Sequence, residues 1–187
     1  GAFAGSRRRG RVRSCSVGPV GAGYEIDVVH PFGSGVLCTD VDCGWDGRMY
    51  ISDWVEGWVN NDNGRILAAH DPDHVNDRRI KEAGQLVARG MDTLQKPDLG
   101  RLLGHADQRI RLQAQFALAA HGEEAVEIYA ATARAGSPLA RLHAIWGLGM
   151  LARTTTYSQT DPKHPMTSVL ELLDDPDRAV RGQANKV

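Results

Sequence analysis

The sequence predicts an α+β chain in two parts, with antiparallel strands over residues 1–75 and packed helices over residues 76–187. Apolar residues recur at period two in the first part and at helical spacing in the second. A short motif that repeats along the second part indicates helix pairs that stack on one another. With 187 residues, 42% of them hydrophobic, and a net charge of -1, the composition is that of an ordinary globular protein. It argues against disordered, collagen-like and membrane-spanning classes.

The first part is predicted to contain short strands joined by tight turns. In residues 24–29, Tyr24, Ile26 and Val28 alternate with their neighbours at period two. Asp46-Gly47 lies between two further runs and is a strong hairpin signal, because glycine adopts the positive φ that tight turns need. The predicted strands lie at residues 11–17, 24–29, 39–43, 48–53 and 64–69.

The second part carries helix signals from about residue 76. Asp107 is predicted to cap a helix, and Ser137 followed by Pro138 predicts the start of another. Gly90 and Gly122 are placed to end helices. The apolar stripes include Ile80, Ala83 and Val87; Ile110, Ala114, Ala117 and Leu118; Ala140, Ala144, Leu148 and Leu151; Met166, Val169, Leu170 and Leu173; and Val180 and Ala184.

An apolar-Arg-x-x-Ala motif occurs three times, at residues 110–114, 140–144 and 180–184. A helix pair of this length cannot bury its apolar stripe alone, so successive pairs are expected to stack as an α-solenoid. The pattern resembles HEAT repeats, in which Asp and Arg of successive repeats form a polar ladder. The residues that match this ladder are Asp107, Arg111, Arg141, Asp177 and Arg181. The middle copy has Ser137-Pro138 where Asp is expected, which puts its rung in question.

A second resemblance covers about residues 24–187. The run TDVDCGWDGRMYISDW at 39–54 resembles a strand pair of a β-propeller of the glucose/sorbosone dehydrogenase type. The run SDWVEGW at 52–58, with Gly64-Arg65-Ile66 and the helical motifs at 104–118 and 140–149, resembles the large membrane-bound dehydrogenase-like proteins of planctomycetes and verrucomicrobia. In that family a propeller is followed by HEAT repeats and then by a c-type cytochrome domain.

The resemblance implies an antiparallel β-propeller blade fragment, of about one to two blades over residues 1–75, followed by an α-solenoid of HEAT-type repeats over residues 76–187. It implies a segment of a periplasmic or exported dehydrogenase or electron-transfer protein, with an oxidoreductase acting on a sugar or alcohol as the parent. The parent is expected to carry haem c and a quinone with calcium, and this segment no cofactor. Because the chain opens on Gly1 and stops at Val187 within a predicted helix, it is interpreted as truncated at both ends.

Within the parent, the segment is expected to link the propeller to an interaction domain and to be inactive in isolation. The implied partners are other propeller blades and a cytochrome domain of the parent chain, with a protein partner on the HEAT surface. An alternative of a different class is a non-catalytic scaffold that binds protein or polysaccharide. A downstream CxxCH motif and cofactor-binding residues in earlier blades would favour the first hypothesis.

One cluster of carboxylates and aromatics lies where a predicted strand gives way to a loop. Because loops at the rim of a propeller bind ligands, this cluster is a candidate substrate or cofactor rim. Its members are Asp53, Trp54, Glu56, Trp58 and Arg65. In the alternative interpretation, the tryptophans cover a seam between the two parts while the carboxylates are solvated or pair with Arg65.

Other functional classes receive no support from the sequence. Cys15, Cys38 and Cys43 lack CxxC spacing, which argues against a disulfide framework, a zinc site or haem attachment. No catalytic residue and no metal ligand set is predicted, and His143 is interpreted as a packed or ladder residue. Five arginines lie in residues 7–13 without interleaved aromatics, so a nucleic-acid partner is not expected. No transmembrane segment is predicted.

Overall fold

A computed structural model describes residues 2–6, 10–20, 23–55, 62–154, 157–158, 161 and 163–187. The chain divides into two compact units, Gly1–Gly84 and Gln85–Val187. None of the helices in these described ranges has both the length and the hydropathy that a membrane crossing requires.

The described strands of the first unit are β1 (Ala2–Ser6), β2 (Arg11–Val20), β3 (Gly23–Ser34), β4 (Cys38–Cys43), β5 (Met49–Asp53) and β6 (Arg65–Ala69). They pair as two antiparallel sheets of three strands each, with strand orders β1-β2-β3 and β4-β5-β6. In the second sheet, Val41 lies opposite Ile51, which lies opposite Leu67. Gly47 has φ 75° in the turn between β4 and β5, as its Asp-Gly sequence predicts.

The core of this unit is small. Its buried side chains are Val12, Val36, Cys38, Met49 and Ile51, with Val41, Leu67 and Ala69 packed against them. Much of β3 and the end of β2 remains exposed.

The described residues include seven α-helices. They are α1 (Arg78–Arg89), α2 (Lys96–Leu102), α3 (Gln108–Ala119), α4 (Val126–Ala135), α5 (Pro138–Thr154), α6 (Pro165–Leu170) and α7 (Arg178–Ala184). Short 3-10 turns lie at Met91–Thr93, Gly122–Ala125 and Glu171–Asp174. Asp107 and Asp177 are N-caps, and their side chains accept hydrogen bonds from Arg109 N at 2.8 Å and Ala179 N at 2.7 Å.

The described helices of the second unit form two rows. One row contains α3, α5 and α7, and the other contains α2, α4 and α6. Helices α3 and α7 each contact α5, and helices α2 and α6 each contact α4. Of the residues in the predicted apolar stripes, Ile110, Leu118, Leu148 and Val180 are fully buried, whereas Leu170 is exposed. Tyr129 of α4 is buried among them, and its hydroxyl donates to the main-chain oxygen of Gln115.

The predicted fold class, a propeller blade fragment followed by an α-solenoid of HEAT-type repeats, is wrong. A propeller blade is a four-stranded sheet, whereas the described strands pair as two separate three-stranded sheets. The described helices of the second unit form only two rows of three, several of them of six or seven residues, which is not an extended solenoid. Local turn and cap signals predicted most of the elements, although neither β1 nor α4 was among them. The pairing between hairpins is non-local, and those signals do not determine it.

Candidate functional site

The predicted rim cluster centres on Asp53 at the end of β5. Asp53 is buried, with 4% of its surface exposed. Its Oδ1 accepts hydrogen bonds from Leu37 N at 2.8 Å and from Val55 N at 3.3 Å. Its Oδ2 accepts from Arg65 Nε at 2.7 Å. One carboxylate therefore joins the ends of three chain segments, because Leu37 precedes β4 and Arg65 begins β6.

These contacts determine the charge of Asp53. Burial alone would raise the pKa of the carboxyl, but the hydrogen bonds from Arg65, Val55 and Leu37, with the charge of Arg65, hold its pKa below the ordinary value. Trp54 is about half exposed beside it. The structure thus brings Asp53 and Arg65 together, and Glu56 and Trp58 lie outside the described residues.

A second polar cluster lies in the helical unit and joins α3 to α5. Its members are Arg111 and Gln115 of α3 and His143 of α5, all of them buried. His143 Nδ1 lies 2.8 Å from Gln115 Oε1, and Arg111 Nε donates to His143 Nε2 at 3.2 Å. Since Nε2 accepts a hydrogen bond from a guanidinium, the proton of the neutral imidazole lies on Nδ1 and is donated to Gln115.

The surroundings of His143 favour its neutral form. Burial of the ring, followed by the charge of Arg111, lowers the pKa of His143 from 6.5 to about 4. Burial also lowers the pKa of Arg111, whose guanidinium nevertheless remains charged at neutral pH. A neutral, doubly hydrogen-bonded imidazole held in this way positions two helices.

The arginines of the repeated motif bind main-chain oxygens that precede their own helices. Arg111 Nη1 donates to His105 O at 2.7 Å and to Ala106 O at 2.9 Å. Arg181 Nη1 donates to Pro176 O at 3.0 Å and to Asp175 O. Arg141 Nε donates to Ala133 O at 2.7 Å. Each arginine thus ties the start of its helix to the chain before it.

The residues of the predicted ladder have specific partners. Asp107 contacts Arg109 of its own helix, with Nη2 and Oδ2 at 2.8 Å, and Asp177 caps α7. Arg141 forms an ion pair with Asp175, in which both side chains are largely buried. Asp175 lies two residues before the capping Asp177. Asp175 and Gln115 are not among the predicted site residues, although Asp175 lies in the acidic run 174–177.

The outer sides of α3 and α5 carry large apolar side chains. Leu112 and Phe116, one turn apart on α3, are 41% and 52% exposed. Leu139 of α5 is exposed, and Leu142, Trp146 and Met150 of α5 are partly exposed. We call these six residues the apolar face.

No metal-binding group was found in the described ranges, which contain no cluster of three or more His, Cys, Asp or Glu side chains that could hold an ion. Within the same ranges, Cys15, Cys38 and Cys43 form no disulfide bond with one another. Comparison of the chain with models of protein families, with curated proteins and with solved structures found no match.

Proposed function

We propose that this chain is a non-catalytic protein-binding module that contacts its partner through the apolar face. The observation that carries the proposal is the exposure of Leu112 and Phe116 beside a buried polar cluster. The hydrogen-bonding groups of Arg111, Gln115 and His143 engage one another and the main chain, which gives them a structural role. The exposed apolar side chains beside this cluster are therefore the candidate binding surface.

Contiguous apolar surface rimmed by polar groups is typical of sites where proteins associate. Phe and Trp side chains, which the apolar face contains at Phe116 and Trp146, are enriched at the centres of such interfaces. Its aliphatic members, among them Leu112 and Leu142, offer no hydrogen bond to the hydroxyls of a polysaccharide. These features favour a protein partner.

We also propose, from the sequence resemblance alone, that the module belongs to an exported dehydrogenase-like electron-transfer protein. Haem c and a quinone with calcium would then be carried elsewhere in the parent. A haem stain and a sugar-dependent dye-reduction assay on the full-length parent test this point. A stained protein that reduces the dye supports it, and a parent without either property contradicts it.

Site-specific photo-crosslinking tests the binding function. A photoreactive phenylalanine analogue is placed at position 112 of α3 and, as a matched control, at position 170 of α6, where Leu170 is 61% exposed. We expect a discrete crosslinked protein from position 112 and none from position 170. Equal crosslinking from both positions, or none from position 112, would contradict the proposal.

A further inference from the structure

We infer that the apolar face binds an amphipathic helix whose flanking residues are acidic. This inference rests on the proposed binding function and adds the chemistry of the partner. Three observations support it. Apolar side chains lie in line on two adjacent helices, charge is divided between the two rows of helices, and an arginine lies at each end of the apolar face.

The apolar side chains of α3 and those of α5 lie side by side, because the two helices are adjacent. Leu112 and Phe116 of α3 occupy the same motif positions as Leu142 and Trp146 of α5, thirty residues later. The hydrogen bonds from Arg111 to His143 and from Gln115 Nε2 to Met150 Sδ at 3.1 Å join the two helices directly. Because both pairs ascend along the chain, the helices run in the same direction. Side chains one turn apart on neighbouring helices suit a helix with apolar residues at i, i+3, i+4 and i+7.

The charges of the helical unit are divided between its two rows. Helices α3, α5 and α7 contain six arginines and no Asp or Glu: Arg109, Arg111, Arg141, Arg153, Arg178 and Arg181. Helices α2, α4 and α6, with the 3-10 turns Gly122–Ala125 and Glu171–Asp174, contain six acidic residues and three basic ones. Arg111 is buried and Arg141 is held in a largely buried ion pair with Asp175, so the accessible positive charge comes from the other four arginines. Asp107 pairs with Arg109, and Asp177 offsets one further charge. The row that carries the apolar face therefore remains the cationic one.

An arginine lies at each end of the apolar face. Arg109 precedes Leu112 by three residues and Phe116 by seven, which places it on the same side of α3. Arg153 follows Met150 by three residues and Trp146 by seven, and it is exposed in the last turn of α5. Arg109 also forms an ion pair with Asp107. Carboxylates on the flanks of a bound helix would lie near these guanidinium groups, and like charges there would be repelled.

The test uses two fluorescein-labelled 16-residue peptides with the same leucines at i, i+3, i+4 and i+7. One carries glutamates at its flanking positions and the other carries lysines there. Binding to the full chain is measured by fluorescence anisotropy. We expect the glutamate peptide to bind at least about tenfold more tightly than the lysine peptide.

Three variants locate the binding site. Phe116→Gln should lower the affinity for the glutamate peptide at least about tenfold, because aromatic side chains at interface centres carry much of the affinity. Arg153→Glu should lower the affinity for the glutamate peptide several-fold and raise the affinity for the lysine peptide. Leu170→Gln, in the other row, should change neither affinity. Circular dichroism melts confirm that each variant folds. Because Arg153 is exposed, its substitution tests the role of charge even if Phe116→Gln disturbs the fold.

The outcomes separate this inference from the binding function itself. Equal affinities for the two peptides, with both weakened by Phe116→Gln, overturn the acidic partner and leave a protein-binding face. Binding to phosphatidylglycerol vesicles without binding of the glutamate peptide overturns it in favour of a lipid surface. If neither peptide binds while position 112 still crosslinks, the inference fails alone; if crosslinking also fails, both proposals fail.

Discussion

Arg111 of α3 donates a hydrogen bond to Nε2 of His143 in α5, so that a buried cation contacts an imidazole which must stay neutral. The contact joins residues 32 positions apart and links two neighbouring copies of the apolar-Arg-x-x-Ala motif. Protonation of His143 would remove its acceptor nitrogen and place two positive charges side by side. Protonation of His143 is therefore expected to weaken the polar contact between α3 and α5.

We expect the stability of the helical unit to fall as pH decreases from about 7 to about 4. The pKa of His143 is about 4 in the folded chain and 6.5 ordinarily, so the unfolded chain binds the proton first. A difference of this size corresponds to about 3 kcal/mol. Urea unfolding followed by circular dichroism at several pH values measures it. His143→Gln should lose this part of the pH dependence, and an unchanged pH profile in that variant would refute the assignment.

Arg111→Ala should destabilise the chain by about 2–4 kcal/mol, because it removes a buried donor and leaves the buried Nε2 of His143 and the partly buried His105 O without it. Arg111→Lys should restore little, since an ammonium group cannot reproduce the planar set of donors. The free energy of unfolding in urea provides the measurement. Arg153→Ala is the matched control, and the role fails if Arg111→Ala costs no more than this exposed substitution.

Arg141 and Asp175 should show favourable coupling in a double-mutant cycle. Their side chains are 14% and 10% exposed, and the hydrogen bonds from Arg141 lower the pKa of Asp175. Arg141→Met and Asp175→Asn should each lower the melting temperature, and the double variant should lose less than their sum. The pair Arg134 and Glu171, which is about half exposed, should show weaker coupling. If the losses in melting temperature at Arg141 and Asp175 are additive, the ion pair contributes no net coupling to stability.

Asp53→Asn should destabilise the strand unit by about 1–3 kcal/mol, because the carboxylate accepts from two main-chain amides and Arg65. Hydrogen exchange should quicken in β4, β5 and β6 and stay unchanged in α3 and α5. Asp42→Asn, at an exposed position, is the control. Unchanged exchange at the strand ends in Asp53→Asn would contradict the structural role.

The sequence predicted what depends on neighbours along the chain. The predicted cap at Asp107 and the predicted turn at Gly47 each follow from a few adjacent residues, and the structure contains both. Asp177, predicted only as a ladder residue, is also an N-cap. The pairing of hairpins into sheets was not predictable in this way, because it joins distant segments, and the predicted propeller blade was wrong for that reason.

The same limit applies to the polar clusters. The Asp53–Arg65 contact could be anticipated as one alternative, since both residues flank the same loop. Arg141 and Asp175 are 34 residues apart, and nothing in the spacing distinguishes Asp175 from the capping Asp177. The repeated arginine could be found in the sequence, but its main-chain partners became evident only in the folded structure.

Hydrogen exchange of the full chain with and without the glutamate-flanked peptide tests the central claim most directly, because it reports where a partner binds. The account predicts added protection in α3 and α5, at residues 108–119 and 138–154, and none in α4 or α6. Protection confined to the other row, or absent from the whole chain at saturating peptide, would contradict it.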